Sequence, residues 1–121
     1  MKKKGKISVE EYSDYTLVRL EGSFNSYEHD EALRETFRKL ADENKSRVIV
    51  DFSEVFFFNS TAIRGLISGN AFIKRKNGKI VFYNLSDYIN NIFDITNLNM
   101  TFSICESKEE ALEALDKDDE A

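Results

Sequence analysis

The fold of this chain is decided by one stretch of sixteen residues, Val48-Ile49-Val50-Asp51-Phe52-Ser53-Glu54-Val55-Phe56-Phe57-Phe58-Asn59-Ser60-Thr61-Ala62-Ile63. Its first three residues are apolar at consecutive positions, which is typical of a central strand that helices cover on both faces. We predict that a loop follows from Ser53 to Ser60 and that a helix begins near Asn59 or Ser60. The Ser60 hydroxyl would then stand at the positive end of a helix dipole, where a negative group is favoured.

Before this stretch the sequence predicts a β-hairpin. Ile7 and Val9 alternate with polar residues, Ser13-Asp14 can form a turn, and residues 15–21 are rich in β-forming side chains. We expect the second strand to end at Gly22.

A first amphipathic helix is predicted after the hairpin. Asn25 is its expected N-cap, with Glu28 as the capping-box partner, and the helix should extend to Asn44. His29 is expected on its solvated flank. The apolar residues that recur at helical spacing are Leu33, Phe37, Leu40 and Ala41.

Three further helices and two further strands are predicted after Ser60. The second helix should end at Asn77-Gly78, and Asn70 should be a hydrogen-bonded position at the edge of its apolar stripe. Its predicted buried residues are Ile63, Leu66, Ile67 and Ile73.

The remaining elements follow in the order strand, helix, strand, helix. Residues 80–83 form a strand, Ser86 caps a short helix, and residues 100–105 alternate as an edge strand with Met100, Phe102 and Ile104 on its apolar face. A second capping box, Ser107 with Glu110, begins the last helix. We therefore predict an α/β fold, a single mixed β-sheet with flanking helices in the order ββαβαβαβα.

Composition limits what the protein can be. With 121 residues and 41% hydrophobic content, the chain should form one domain, with a core from about residue 7 to residue 115. The solvated ends would be residues 2–6 and 116–120. The net charge of −5 and the pI near 5.0 argue against nucleic acid as a partner. No apolar run reaches the roughly 20 residues of a membrane span, so we expect a cytoplasmic protein without membrane insertion.

Catalytic chemistry is not expected. The chain has a single cysteine, Cys105, and a single histidine, His29, which cannot provide a zinc site, so neither a metal nor a cofactor is predicted. Ser60 has no evident general base, because His29 lies on another helix, and it is not an activated nucleophile.

Two loops should meet at one end of the molecule. Residues 22–25 and residues 53–60 both follow strands of the later parallel units, and such loops emerge at the carboxyl edge of the sheet. Binding sites of open α/β sheets concentrate at that edge.

At this point the sequence resembles the STAS family, which includes bacterial anti-sigma-factor antagonists and the cytoplasmic tails of sulfate transporters. The element order agrees with that family from about Ile7 to Leu115. The family pattern Asp-Ser-Ser/Thr-Gly-Leu at the helix start is matched by residues 59–63, which places Ser60 on the family's phosphorylated serine. Gly-x-Leu/Ile-Asp is matched by residues 22–25, and the Gly-Leu pair before the last strand by Asn97-Leu98.

Departures from the family pattern at three positions bear on function. Asn25 and Asn59 stand where the antagonists carry acidic residues, and Ala62 replaces a glycine. Asparagine can cap a helix, but it cannot orient a metal ion or a proton as a carboxylate does.

The resemblance implies a protein that binds an anti-sigma factor with serine kinase activity and so frees a sigma factor. Ser60 would be the phosphoacceptor, with Thr61 as a minor second acceptor, and the phosphate would release the partner. The implied contact surface comprises Asn25, Ser53, Phe57, Phe58, Asn59, Ser60, Thr61 and Arg64.

Two other interpretations compete with this one. A non-phosphorylated STAS adaptor or scaffold subunit of a larger signalling or transport assembly would tolerate both asparagines. A receiver domain also carries an aspartate after a central strand, here Asp51, but it has a helix after its first strand where this chain has a hairpin.

Overall fold

A five-stranded mixed sheet forms the centre of the protein in the computed structural model, which describes residues 3–117. The strands lie side by side in the order of the chain. Along the sequence the elements are β1 (Lys6–Glu11), β2 (Thr16–Phe24), α1 (Tyr27–Asp42), β3 (Arg47–Phe58), α2 (Ser60–Arg75), β4 (Lys79–Tyr83), α3 (Asp87–Ile95), a 3₁₀ turn (Leu98–Met100), β5 (Ser103–Cys105) and α4 (Lys108–Asp116). The predicted fold class and order are confirmed.

The helices divide unequally between the two faces of the sheet. β1 and β2 are antiparallel and every later pair is parallel, so α1, α2 and α3 are crossovers, which share one face when each has the usual right-handed sense. Their apolar residues form one large core with the sheet. The second core, on the opposite face, contains Ala111 and Leu115 of α4 packed on Leu17, Ile49 and Val81.

The predicted loop from Ser53 to Ser60 is wrong, because β3 continues to Phe58. Two register shifts between β2 and β3 insert extra residues into β3 and allow it to continue beside β2. Gly22 lies at the second shift with φ of +90°, a conformation that glycine adopts without steric cost. β2 therefore passes through Gly22 and ends at Phe24 instead.

The second shift also separates the three phenylalanines. Gly22 pairs with Val55 and Ser23 with Phe57, so Phe56 is the extra residue and is 55% exposed. Strict alternation would have placed Phe56 and Phe58 on the same face of β3. Instead Phe56 is exposed, whereas Phe58 is 1% exposed and belongs to the core.

The helix starts agree with the sequence predictions at three of four positions. Asn59, Ser86 and Ser107 are N-caps whose side chains accept a hydrogen bond from a first-turn backbone N–H. The first helix is the exception, because Ser26, not Asn25, is its N-cap and accepts from the His29 N–H.

Several smaller predictions are also corrected. Ile67, which was expected to be buried, is 41% exposed. Met100 is 83% exposed, since residues 98–100 form a 3₁₀ turn and β5 begins only at Ser103. Asn70 is 5% exposed, and its Oδ1 has no hydrogen-bond partner within the described residues. Asn97, at the glycine position of the family pattern, has φ of +61°.

The predicted solvated ends fall partly outside the described residues, which leave out 1–2 and 118–121. Of the part that is described, Lys3 is tied to β2, because the Ser23 N–H donates to its carbonyl oxygen at 3.0 Å. The Asp116 carboxylate accepts a hydrogen bond from Arg47 at 2.7 Å.

Candidate functional site

The ends of β2 and β3 lie together and bring Asn25 next to Asn59. Phe24 and Phe58 are register partners, and their rings stack with centroids 4.9 Å apart. Asn59 connects the segments that follow, since its backbone N–H donates to the Phe24 carbonyl oxygen at 3.1 Å and its Nδ2 donates to the Asn25 carbonyl oxygen at 3.0 Å. The N-termini of α1 and α2 therefore lie side by side.

Ser60 is the first residue of α2 and is exposed. The preceding residue, Asn59, accepts a hydrogen bond at its Oδ1 from the Ala62 N–H at 3.1 Å, so the cap does not need the Ser60 hydroxyl. Thr61 is half-buried beside it. The hydroxyl of Ser60 is thus presented at the positive end of a sixteen-residue helix.

The start of α2 carries no negative charge of its own. The first turn of α2 contains no acidic residue. Arg64 is exposed four residues after Ser60, a spacing that places the two side chains on the same side of a helix. No described ion pair or side-chain hydrogen bond occupies the Arg64 guanidinium within residues 3–117. A negative group on Ser60 would have this cation within one helical turn.

Asn25 is exposed on the α1 side of the site. Its backbone N–H donates to His29 Nδ1 at 2.9 Å, and the His29 ring packs against Phe24 with centroids 5.1 Å apart. In the neutral ring the proton is therefore on Nε2. The expectation of a freely solvated His29 is wrong, because the half-buried ring holds the loop before α1.

An aromatic pair forms at Phe57, three residues before Ser60 in the chain. The half-buried Phe57 ring stacks on Tyr88 of α3, with centroids 6.1 Å apart. Tyr88 is 47% exposed, and its contact with Phe57 could not be predicted from the sequence, because no local pattern connects α3 with the end of β3. Phe58 was predicted to contact a partner, but its burial removes it from any contact surface.

Ser53 belongs to a different part of the carboxyl edge. Its backbone N–H donates to Asp51 Oδ1 at 2.8 Å, and it lines a polar cleft of about 680 Å³ with Asn84, Ser86 and Cys105. Ser60 does not line this cleft. Partial burial raises the pKa of the Cys105 thiol, which disfavours the reactive thiolate.

A polar chain joins neighbouring strands, from Arg19 on β2 through Asp51 on β3 to Tyr83 on β4. The buried Asp51 carboxylate lies 3.5 Å from Arg19 Nε. Burial, with Asp51 as a further cause, raises the pKa of the Tyr83 hydroxyl. These contacts of the Asp51 carboxylate with its strand neighbours give Asp51 a structural role.

Two kinds of feature are absent from residues 3–117. No group of three or more His, Cys, Asp and Glu side chains there is placed to hold a metal ion. No helix in that range combines the length and the apolar character that a membrane crossing requires.

Comparison with known proteins identifies the family. The model of the STAS domain matches residues 6–111, which is most of the chain, and the chain belongs to this family.

Solved structures with the same fold include an anti-sigma factor antagonist from Mycobacterium paratuberculosis, with a TM-score of 0.82, 18% identity, and coverage of 94% of this chain and 96% of that one. A STAS domain protein from Planctomyces limnophilus has a TM-score of 0.73 at 22% identity, covering 92% and 98%. The Bacillus cell fate determinant SpoIIAA in its phosphorylated form has a TM-score of 0.69 at 16% identity, covering 90% and 98%. At these identities the likeness concerns the fold.

Proposed function

We propose that this STAS domain is a cytoplasmic anti-sigma-factor antagonist. Unmodified, it binds an anti-sigma factor that is also a serine kinase, and a sigma factor is thereby freed for transcription. Phosphorylation of Ser60 ends the binding. The domain itself acts by binding and carries out no catalysis.

The observation that supports this proposal most directly is the position of Ser60. An exposed hydroxyl at the first residue of α2 is accessible to a kinase, and the cap is provided independently by Asn59. A phosphate there adds about −1.5 to −2 charges at pH 7. The α2 dipole and Arg64 both favour such a charge in the free protein.

The same phosphate opposes binding when a partner covers the surface. A partner that fits the neutral Ser60 must desolvate the phosphate and face its charge. A loss of only about 3 kcal/mol lowers affinity more than a hundredfold.

The proposed contact surface around Ser60 draws residues from β3, α2, α3 and the segment before α1. Asn25 and Asn59 lie on its α1 side, Phe57 and Tyr88 on its β3 side, and Thr61 and Arg64 follow it on α2. Aromatic and arginine side chains are the types that most often dominate binding energy in interfaces. Ser53 is proposed only as a peripheral contact, since it lines the separate cleft.

The experiment begins with the candidate serine-kinase anti-sigma factors of the source organism and ATP. Mass spectrometry of the wild type, Ser60→Ala and Thr61→Ala locates any phosphate. Ser53→Ala is the matched control, because Ser53 is an exposed serine on the same sheet edge but outside the α2 terminus. The proposal expects phosphate on Ser60 in the wild type and in Ser53→Ala, and its loss in Ser60→Ala.

Binding is then measured by calorimetry before and after phosphorylation. At least a hundredfold loss of affinity on phosphorylation is expected. Equal affinities of the phosphorylated and unphosphorylated forms would refute the switch. A Ser60→Asp variant that also binds like the wild type would agree with that result.

A second candidate is a STAS adaptor that is never phosphorylated. The observation that favours it is the bond from Asn59 Nδ2 to the Asn25 carbonyl oxygen, because a carboxylate at position 59 has no such donor. This bond fixes the surface without any charge. Tight binding to a partner with no phosphate on Ser60 in cells would support the adaptor.

A further inference from the structure

The outer strand β1 presents an unpaired edge. It is the first strand in the sheet order, and within residues 3–117 no strand pairs with its outer side. Backbone N–H and C=O groups of such an edge can pair with another chain. The charged side chains of β1 are separated along the strand. The cation Lys6 stands at its start, and the acids Glu10 and Glu11 stand at its end.

The register shows which backbone groups face outward. The Tyr12 N–H donates to the Tyr15 carbonyl oxygen at 2.9 Å, which identifies these two residues as a hydrogen-bonded pair. Hydrogen-bonded and non-hydrogen-bonded pairs alternate along an antiparallel ladder. The even-numbered residues of β1 therefore bond to β2, and the outward groups belong to Ile7, Val9 and Glu11.

The side chains of β1 also separate by face. Ile7 packs against the core under α1, α2 and α3, and Val9, on the same face, is 42% exposed. Lys6, Ser8 and Glu10 lie on the other face. There Glu10 accepts hydrogen bonds from Tyr12 and Arg19, each at 2.7 Å, which fix the carboxylate in place.

We propose that β1 pairs with β1 of a second copy of this chain, antiparallel and centred on Ser8, and so joins two five-stranded sheets into a symmetric dimer. In this register Lys6 of each copy lies opposite Glu10 of the other. On the opposite face, Ile7 of each copy lies against Val9 of the other, which covers both exposed valines.

The charges and the backbone favour this register together. Ile7 and Val9 become hydrogen-bonded pairs through their outward groups, while Lys6 and Glu10 occupy non-hydrogen-bonded pairs, where opposing side chains are closest. A parallel arrangement would instead place Lys6 against Lys6. A slip of one residue would turn the apolar residues to the polar face. Edge charges often prevent pairing, but this order makes them complementary in one arrangement.

The oligomeric state tests the proposal. Analytical ultracentrifugation from about 10 µM to 1 mM should show a monomer–dimer equilibrium that shifts to monomer in high salt, because the exposed ion pairs are screened. A wild type that stays monomeric at the highest concentration would overturn the proposal.

Charge exchange identifies the interface. Lys6→Glu and Glu10→Lys each create like-charge pairs at both ends of the interface, so each variant alone should be monomeric. An equimolar mixture restores opposite charges at both ends and should form a heterodimer. If the mixture stays monomeric, or if either variant alone dimerises like the wild type, β1 is not the interface.

A backbone variant separates pairing from charge. Val9→Pro removes an outward N–H that the β1–β2 ladder does not use, so the dimer should be lost while the circular dichroism spectrum is kept. Val9→Thr, which retains the N–H, is the matched control and should still dimerise. A Val9→Pro variant that is folded and fully dimeric would contradict the model, and an unfolded one leaves the charge exchange to decide.

Discussion

The two helices that begin side by side at the carboxyl edge of the sheet differ in charge. α1 has Ser26 as its N-cap and carries Glu28 and Asp30 in its first turn. α2 has Asn59 as its N-cap and carries no acid there, whereas α3 and α4 both do. Among the α-helices of residues 3–117, only the positive end of α2 is left without its own carboxylate. Charge, more than backbone geometry, therefore distinguishes the surroundings of Ser60.

Packing holds these two helix starts in a fixed relation. Gly65 and Gly69 of α2 face α1, and a Cβ on Gly65 would come within 2.7 Å of the Asp30 carbonyl oxygen. A Cβ on Gly69 would collide with the Phe37 ring. The absence of side chains at these positions lets the helices approach closely. Both termini thus belong to one surface, and a change at one can be compared directly with the same change at the other.

The largest expected effect comes from removing the ring beneath both termini. Phe58→Ala should lower the free energy of unfolding by about 3–5 kcal/mol, because it leaves a cavity under Phe24. Phe56→Ala is the matched control and should change it by less than about 0.5 kcal/mol, since that ring is mostly exposed. Urea unfolding measures both. Similar losses in the two variants would contradict the observed division between buried and exposed rings.

The two caps should differ in strength. Ser26→Ala removes one capping bond and should cost about 1 kcal/mol. Asn59→Ala removes the cap of α2 and also the bond to the Asn25 carbonyl oxygen, so its cost should approach about 2 kcal/mol. Chemical denaturation compares them. A smaller loss for Asn59→Ala than for Ser26→Ala would show that the bond between the two loops contributes nothing.

Moving a carboxylate between the two termini should have opposite effects. Thr61→Glu adds a first-turn acid to α2 and should stabilise the protein by about 0.3–1 kcal/mol at low salt, and Glu28→Gln should destabilise it by a similar amount. Thr61→Gln is the neutral control. Both charge effects should decrease at about 1 M salt, because the ions screen exposed charges beyond about 3 Å. An effect of Thr61→Glu that is unchanged by salt would point to a cause other than the dipole.

The smallest expected effect is on the titration of a phosphate at Ser60. The helix terminus and Arg64 stabilise the dianion, so the second pKa of the phosphate should lie below that of a free phosphoserine. Phosphorus NMR across the pH range measures it. Arg64→Gln should move the pKa part of the way back. A value equal to that of free phosphoserine would show that neither group acts on the phosphate.

Much of the fold follows from local patterns. The continuous apolar run at Val48 to Val50 predicted a central strand, and the caps at Asn59, Ser86 and Ser107 were identified because each satisfies backbone N–H groups in its own segment. The edge of the sheet was predicted less well. β5 is only three residues long, since the 3₁₀ turn Leu98–Met100 takes the first residue of the expected strand and pairing begins only at Ser103.

The site was predicted in part. The sequence placed Ser60 at a helix start, but it could not reveal that β3 continues to Phe58, since the register shifts depend on pairing with β2. The burial of Phe58 and the contact between Phe57 and Tyr88 follow from that pairing. The role of His29 was also missed, because its bond is to the backbone N–H of the preceding loop.

The sequence by itself determined the elements, their order and the helix that begins at Ser60, since these depend on hydrophobic period and capping within a few neighbouring residues. Only the tertiary structure decided which phenylalanine is buried, that Asn59 bonds to the loop before α1, and that α1 and α2 begin side by side. These features depend on contacts between segments that are more than thirty residues apart. Such contacts exist only when the strands are paired, and no local pattern records them.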